Sequence, residues 1–314
     1  MSLPLVVFLM GPTASGKSRI ALELADRFPL EIVSVDSAQV YRYMDIGTAK
    51  PDRETLTQIP HHLIDMIDPD QRYSAAQFRS DALRCIDEIT RRNKIPLLVG
   101  GTMLYFRALQ QGLSVLPPAD AALRLELENQ AKTQGWPALH EQLAQLDPEA
   151  AVRIKPTDSQ RIQRALEVCL LTQQTMTELQ KTTQQNDFLY RKISLALIPG
   201  ERSQLHQRIA QRFEAMLALG LVAEMEAIRQ RFPALSMDSP AMRCVGYRQT
   251  CLFLDQQITT TELHDMGIFA TRQLAKRQLT WLRSMKNEGI REFDCLAADL
   301  STQIQNYLQT KLDE

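Results

Sequence analysis

Hydrophobic positions come in two rhythms along this chain. Leu5-Val6-Val7-Phe8-Leu9-Met10 is an unbroken apolar run of the length and type of a strand buried on both faces. Behind it, Ile20, Ala21, Leu24, Ala25 and Phe28 fall at helical spacing. Glu31-Ile32-Val33-Ser34-Val35, Ile95-Pro96-Leu97-Leu98-Val99 and Lys192–Ile198 repeat the strand pattern, the last closed by Pro199-Gly200. A single long helix is expected over 202–231. After Gly112 the strand pattern disappears and Pro117-Pro118 breaks the chain. Arg124-Leu125-x-Leu127, Leu139–Leu146 and Asp158–Leu171 then read as amphipathic helices, followed by a Gln- and Thr-rich stretch, 172–187, that reads as a polar linker or solvated helix end. The expected organisation is an α/β core, residues 1–112 and 188–314, interrupted by a helical insertion, 113–187.

Composition narrows the class. A chain of 314 residues that is 44% hydrophobic and 23% charged has the proportions of a globular core in a solvated skin. No apolar run approaches the ~20 residues of a bilayer span, and no segment reads as a signal peptide. Cys85, Cys169, Cys244, Cys251 and Cys295 lie far apart without a CxxC pair, the pattern of reduced cysteines in a cytoplasmic protein. His61-His62 has no carboxylates at metal-ligating spacing. With 36 Lys and Arg against 37 Asp and Glu, any nucleic-acid surface must come from local clustering.

The first chemistry stands directly behind the first strand: Gly11-Pro12-Thr13-Ala14-Ser15-Gly16-Lys17-Ser18 is GxxxxGK[ST] between a strand and a helix. The two glycines permit backbone angles that turn successive N–H groups toward an anion, and the helix start adds its free N–H groups. Lys17 supplies a mobile positive charge, and the Ser18 hydroxyl is placed to ligate Mg²⁺. This is a phosphate-binding loop, and the fold it implies is a P-loop NTPase-like parallel sheet flanked by helices. The loop does not name its substrate, because a cradle for the β- and γ-phosphates of ATP would hold any diphosphate.

In open parallel sheets ligands sit outside the carboxyl ends of the strands. The second and third strands deliver Asp36 and Gly100-Gly101-Thr102 there. Asp36 is a general base, a metal partner through water, or the N-cap of the segment after it; Thr102 is a site residue or a plain helix cap. The stretch 36–51 between them is dense in polar groups, hard to read as core, and so a candidate functional loop. Two basic groups stand out. Arg153, Lys155, Arg161 and Arg164 face a single acid, Asp158, with Gln160 and Arg164 expected to point away from the core. Arg243, Arg248, Arg272, Lys276, Arg277, Arg283 and Lys286 face Asp255, Glu262 and Asp265; Arg272, Lys276 and Arg283 form one helical stripe with Trp281 beside it, a ring able to stack on a base. Such faces are either solvated surface or an RNA track.

Taken together, the chain resembles the bacterial tRNA dimethylallyltransferases (tRNA isopentenyltransferases) along nearly its full length. The motifs that carry the resemblance are Gly11–Ser18, Asp36-Ser37-Ala38-Gln39-Val40-Tyr41-Arg42, Asp45–Pro51, His61–Asp65, Tyr73–Phe78, Gly100–Tyr105, Gln160–Glu167, Gly246-Tyr247-Arg248 and Thr271–Trp281. Ala38 and Tyr43 depart from it, since the family usually has methionine and glycine there. The resemblance implies transfer of a dimethylallyl group from its diphosphate to N6 of adenosine 37 of tRNA, with Mg²⁺ as cofactor and a monomeric cytoplasmic enzyme. Asp36 would then take the amine proton, and Thr102 would fix the leaving oxygen or the amine. Lys17 and the loop would stabilise the leaving diphosphate, with Arg208 or Arg212 as a further cation. RNA contacts are implied at Asp36-Ser37-Ala38-Gln39, Thr102, Arg124, Gln160-Arg161-Ile162-Gln163-Arg164, Arg243-Cys244-Val245-Gly246-Tyr247-Arg248 and Lys276-Arg277-Gln278-Leu279-Thr280-Trp281-Leu282-Arg283. The alternatives are a prenyltransferase of free adenine nucleotides, a small-molecule kinase, and a non-enzymatic nucleotide-gated RNA binder.

Overall fold

The computed structural model describes residues 3–114, 116–182, 188–285 and 289–314; Lys286 lies outside them. In chain order, β1 (Leu5–Met10), α1 (Lys17–Arg27), β2 (Leu30–Val35), α2 (Arg53–Gln58), β3 (His61–His62), α3 (Ala75–Arg91), β4 (Ile95–Gly100) and α4 (Met103–Gln111) come first. Next are α5 (Ala121–Gln134), α6 (Trp136–Leu146), α7 (Pro148–Arg153), α8 (Ser159–Thr172) and α9 (Met176–Thr182). The chain ends with β5 (Arg191–Ile198), α10 (Arg202–Ala218), α11 (Leu221–Arg231), α12 (Tyr247–Leu254), α13 (Thr260–Ser284), β6 (Arg291–Asp294) and α14 (Leu300–Asp313). Two compact units result, Met1–Leu109 with Leu189–Glu314, and Gln110–Phe188. No helix among the described residues is long and apolar enough to cross a membrane.

The first unit is built on one six-stranded sheet, order β3-β2-β4-β1-β5-β6, with every pair parallel. The period-2 alternation of strand side chains divides its core. Val7 and Leu9 of β1 join Ile20 and Leu24 of α1 and Ile304 and Leu308 of α14 in one buried cluster. Phe8, the residue between, meets Phe106 of α4 at 5.1 Å between ring centroids. The register places Met10, Gly100 and Val35 side by side, so Gly11, Gly101 and Asp36, each one residue on, stand in a row past the carboxyl edge. That row is the floor of the site.

The single helix expected over 202–231 is two. Gly220, at φ 101°, takes the left-handed conformation that ends α10 and starts α11. Nor is 36–51 all surface, for Val40, Tyr41 and Met44 are buried in a second core with Phe213, Leu221, Tyr247 and Leu279.

The regular elements among the described residues of the second unit are all helices, with Leu127, Leu139, Leu143, Ile162 and Leu166 in its core. Pro148–Arg153 adds a short helix the periodicity does not signal, and Met176–Thr182 is helix within the stretch expected as linker or helix end; residues 183–187 lie outside the described ones.

Candidate active site

The glycine loop has the shape its chemistry requires. Ala14, at φ 63°, and Gly16, at φ 83°, both take left-handed backbone, which turns the intervening N–H groups toward one concavity. A Cβ on Gly11 would lie 2.8 Å from Ser15 Oγ and 2.9 Å from the Leu197 carbonyl, so only glycine fits against β5 there. Helix α1 has no side-chain cap, and the N–H groups of Ala14, Gly16, Lys17 and Ser18 have no partner among the described residues. Ser15 Oγ is likewise buried without one. Backbone donors this close together, left unsatisfied, are what an anion satisfies. The Thr13 N–H is different: it donates to Gln278 Oε1 of α13 at 2.8 Å.

Lys17 folds over its own loop, Nζ donating to the Pro12 carbonyl at 2.6 Å. Burial, and after it the positive charge of Arg212, pull its ammonium down to about 8 from the ordinary 10.5, with Asp36 opposing. A lysine held this way lacks a sufficient counter-anion. Arg212 itself is lowered by burial and supported by the Asp36 charge. Of the two arginines the sequence offered, Arg212 is thus the one within electrostatic reach of Lys17 and Asp36; exposed Arg208 donates Nη1 to the Cys295 carbonyl at 3.1 Å.

Asp36 is both cap and candidate base. Its Oδ1 accepts from the Ala38 N–H at 2.8 Å and the Gln39 N–H at 3.4 Å, while Oδ2 has no partner among the described residues. Thr102 Oγ1 accepts from the Ser37 N–H at 3.1 Å and lies 3.3 Å from Ser37 Oγ. It ties the β4 turn to the Asp36 turn. The negative charge of Asp36 also reaches Cys244, whose thiol burial first of all pushes up to about 12.

Glu224, which no motif singles out, positions the far side of the 36–51 loop. Its carboxylate accepts from the N–H groups of Asp45 at 3.1 Å, Ile46 at 2.8 Å and Gly47 at 3.4 Å, and from the Tyr247 hydroxyl at 2.6 Å. Lys50, its side chain 2% exposed, pairs with Asp45 at 2.8 Å and Asp65 at 2.6 Å. Tyr43 takes φ 66°, the conformation for which the family's glycine is suited; its ring lies 4.1 Å beneath the Arg231 guanidinium.

Several of the residues expected at the RNA contact have buried side chains. Tyr247, Ile162, Leu279 and Leu282 are buried, because a helix offers only one face to solvent and these lie on the other. Gly246 is buried at the start of α12. Gln278 is committed to Thr13 and Gly101. Arg164 does not point freely outward: it and Arg124 both pair with Glu167, which is fully buried, at the α5–α8 contact. Burial works against that carboxylate, but hydrogen bonds from Arg124, Arg164 and the Asp120 N–H hold it below its ordinary range. Gln163 donates to the Arg124 carbonyl and to Glu128. Gln160, Arg161, Arg243, Arg248, Lys276, Arg277, Thr280 and Arg283 are exposed; Trp281, Cys244 and Val245 are half-buried. Among the described residues the Arg161 guanidinium bonds only Asp158, at 3.0 Å.

Fold and site together define a phosphate-loop α/β protein with a carboxylate beside the cradle. A model of the IPP transferase family matches residues 39–285, and one described as isopentenyl transferase matches 4–72. The chain belongs to the IPP transferase family. It is 59% identical over 308 residues to the tRNA dimethylallyltransferase of Nitrosomonas europaea, covering 98% of this chain and 96% of that one. The Nitrosomonas eutropha protein of the same name is 61% identical over 306 residues, with the same coverage. Among solved structures, the full-length tRNA isopentenylpyrophosphate transferase of Bacillus halodurans superposes with TM-score 0.71 at 36% identity, covering 99% and 97% of the two chains. A eukaryotic dimethylallyltransferase acting on tRNA gives TM-score 0.80 at 25% identity, over 98% of this chain and 78% of that one.

Proposed function

We propose that this chain transfers a dimethylallyl group from dimethylallyl diphosphate to N6 of adenosine 37 in tRNA, releasing diphosphate. The observation that carries the reading is the placement of one carboxylate, Asp36, in the same row as the phosphate loop, within electrostatic reach of Lys17 and Arg212. The allylic C–O bond breaks as the N6 lone pair forms the new C–N bond. Negative charge grows on the departing diphosphate, where the loop N–H groups, Lys17 and Arg212 stabilise it. The N6 proton passes to Asp36 Oδ2, the oxygen not used by the turn. Thr102, bonded to Ser37, holds the turn that presents Asp36. Position 37 must leave its stack to reach these groups.

Mg²⁺ fits as a partner of the substrate. Among the described residues no group of three His, Cys, Asp or Glu could hold a metal; the Ser18 hydroxyl would be the protein's donor, with diphosphate oxygens completing the shell. Bound there, the ion would neutralise leaving-group charge.

Incubation of the protein with Mg²⁺, radiolabelled dimethylallyl diphosphate and unmodified tRNA, with AMP and ATP as parallel acceptors, tests the reading. Label enters tRNA, and only when position 37 is adenosine. Label on AMP or ATP alone would assign a free-nucleotide enzyme, and label on none would sink prenyl transfer altogether.

RNA binding separates two arginines of one helix. Exposed Arg161→Ala is expected to lower the slope of log K against log salt by about one, with little loss of stability. Arg164→Ala should instead destabilise the Gln110–Phe188 unit by about 2 kcal/mol, the loss of one charged hydrogen bond on a buried carboxylate that keeps Arg124 and the Asp120 N–H. Filter binding across a salt series and urea unfolding measure both; an unaltered slope for Arg161→Ala makes that position plain solvated surface.

A further inference from the structure

Gln278 lies in the middle of the basic stretch of α13 yet is half-buried, its amide turned toward the floor of the site. Its amide makes two bonds of opposite sense: Oε1 accepts from the Thr13 N–H at 2.8 Å, and Nε2 donates to the Gly101 carbonyl at 3.0 Å. The orientation is unambiguous, since a flipped amide would set donor against donor and acceptor against acceptor. The two partners belong to the two turns that floor the site, the phosphate loop after β1 and the β4 turn that leads into Thr102. Gly101 has no room for a side chain because of this amide: a Cβ would lie 2.3 Å from Nε2. On either side of Gln278, buried Ala275, Leu279 and Leu282 fix the helix against the core, and exposed Lys276, Arg277 and Thr280 look outward.

We propose that Gln278 is a positioning residue of the diphosphate site and not an RNA contact: its amide sets the spacing between the phosphate loop and the Gly101–Thr102 turn. This rests on the reading that the loop holds the diphosphate of the prenyl donor. With Thr13 committed, the anion is recognised by the N–H groups of Ala14, Gly16, Lys17 and Ser18. A small shift of the loop relative to Thr102 and Asp36 moves the leaving group relative to the base, which geometry-dependent steps do not tolerate.

The test compares wild type, Gln278→Ala, Gly101→Ala and the double variant, with Gln278→Met to fill the volume if the alanine variant melts early. Inorganic diphosphate binding is measured by calorimetry, tRNA binding by filter retention, and transfer by steady-state kinetics. Loss of two hydrogen bonds should raise the Kd for inorganic diphosphate and the KM for dimethylallyl diphosphate by about ten- to a hundredfold, with tRNA Kd within about twofold of wild type. Gly101→Ala, which displaces the amide, should do the same, and the double variant should be no worse than either single one. Weaker tRNA binding with unchanged diphosphate binding would make Gln278 an RNA contact. Unchanged constants, additive effects, or parallel loss of both affinities and of melting temperature would equally overturn the proposal. If wild type transfers nothing to tRNA, the proposed function fails, while calorimetry with inorganic diphosphate still tests Gln278.

Discussion

Lys17→Met lowers kcat/KM for dimethylallyl diphosphate by about a thousandfold, the scale of deleting one preorganised donor to developing charge, and it removes a limb from the pH profile of diphosphate binding. The second effect is the more diagnostic. In the free protein the Lys17 ammonium is pulled down to about 8, by burial first and by Arg212 second. A bound anion favours the charged form and raises that value, so the complex holds the proton to higher pH. Affinity is therefore at its full value below about pH 8 and weakens as pH rises through that value, by up to tenfold per unit until the bound form also titrates. The ligand for this titration is dimethylallyl diphosphate, whose terminal phosphate, like other phosphate monoesters, has lost its last proton by about pH 6; inorganic diphosphate still carries one into the titrated range and would confuse the reading. Calorimetric titration between pH 7 and 9.5 should show the decline in wild type and a flat, weaker line in Lys17→Met. A flat line in wild type would mean that Lys17 stays charged without its ligand, and that neither burial nor Arg212 sets its state.

What the chain disclosed in advance and what it withheld divide along sequence distance. Four strands, β1, β2, β4 and β5, and the phosphate loop were legible because their determinants are contiguous: a buried run, then GxxxxGK[ST], then a 3.6-residue period; the short edge strands His61–His62 and Arg291–Asp294 carry no such run and were not expected. The row of Gly11, Gly101 and Asp36 came from parallel-sheet topology alone. The supports were not legible. Gln278 reaches back 265 positions to Thr13, and Glu224 reaches 178 to Ile46; nothing in either neighbourhood marks the partner. Apolar neighbours on the helix place Arg164 outward, but a buried carboxylate one turn on, Glu167, draws the guanidinium inward. Within the segments expected to contact RNA, every third or fourth residue, such as Ile162, Leu279 or Leu282, turns its side chain to the core. Gly220 is one residue in an otherwise continuous helical period, and one left-handed residue suffices to end a helix. Tyr43 takes a positive φ at a physical cost. A non-glycine side chain at positive φ is strained by about 1 kcal/mol, offset here by the ring's packing under Arg231 and against Phe232, 5.9 Å away.

The sharpest test of the chemistry is Asp36→Asn. Asp36 does two jobs with two oxygens, and alanine would remove both. Oδ1 accepts from the Ala38 N–H and shapes the turn that bonds Thr102; Oδ2 stands free to take a proton. Asparagine keeps an acceptor oxygen for the Ala38 N–H, so the turn and the Ser37–Thr102 bonds survive, but its amide cannot serve as a base. If Asp36 removes the N6 proton, kcat falls by about 10²–10⁴, the usual contribution of a general base. Inorganic diphosphate binding should meanwhile stay within about threefold or tighten, since a negative charge near the anion has been removed. If the aspartate serves only as a cap, Asp36→Asn retains nearly full turnover and Asp36→Ala loses stability and turnover together. A third pattern, diphosphate binding lost in Asp36→Asn, would place Asp36 among the groups that hold Mg²⁺ through water. The proton would then have to leave N6 by another route, and the Thr102 hydroxyl, 3.1 Å from the Ser37 N–H and 3.3 Å from the Ser37 hydroxyl, is a candidate for it. Thr102→Val, run beside Asp36→Asn, separates the two: with Asp36 as base it costs positioning alone, whereas a proton route through the hydroxyl would vanish with it.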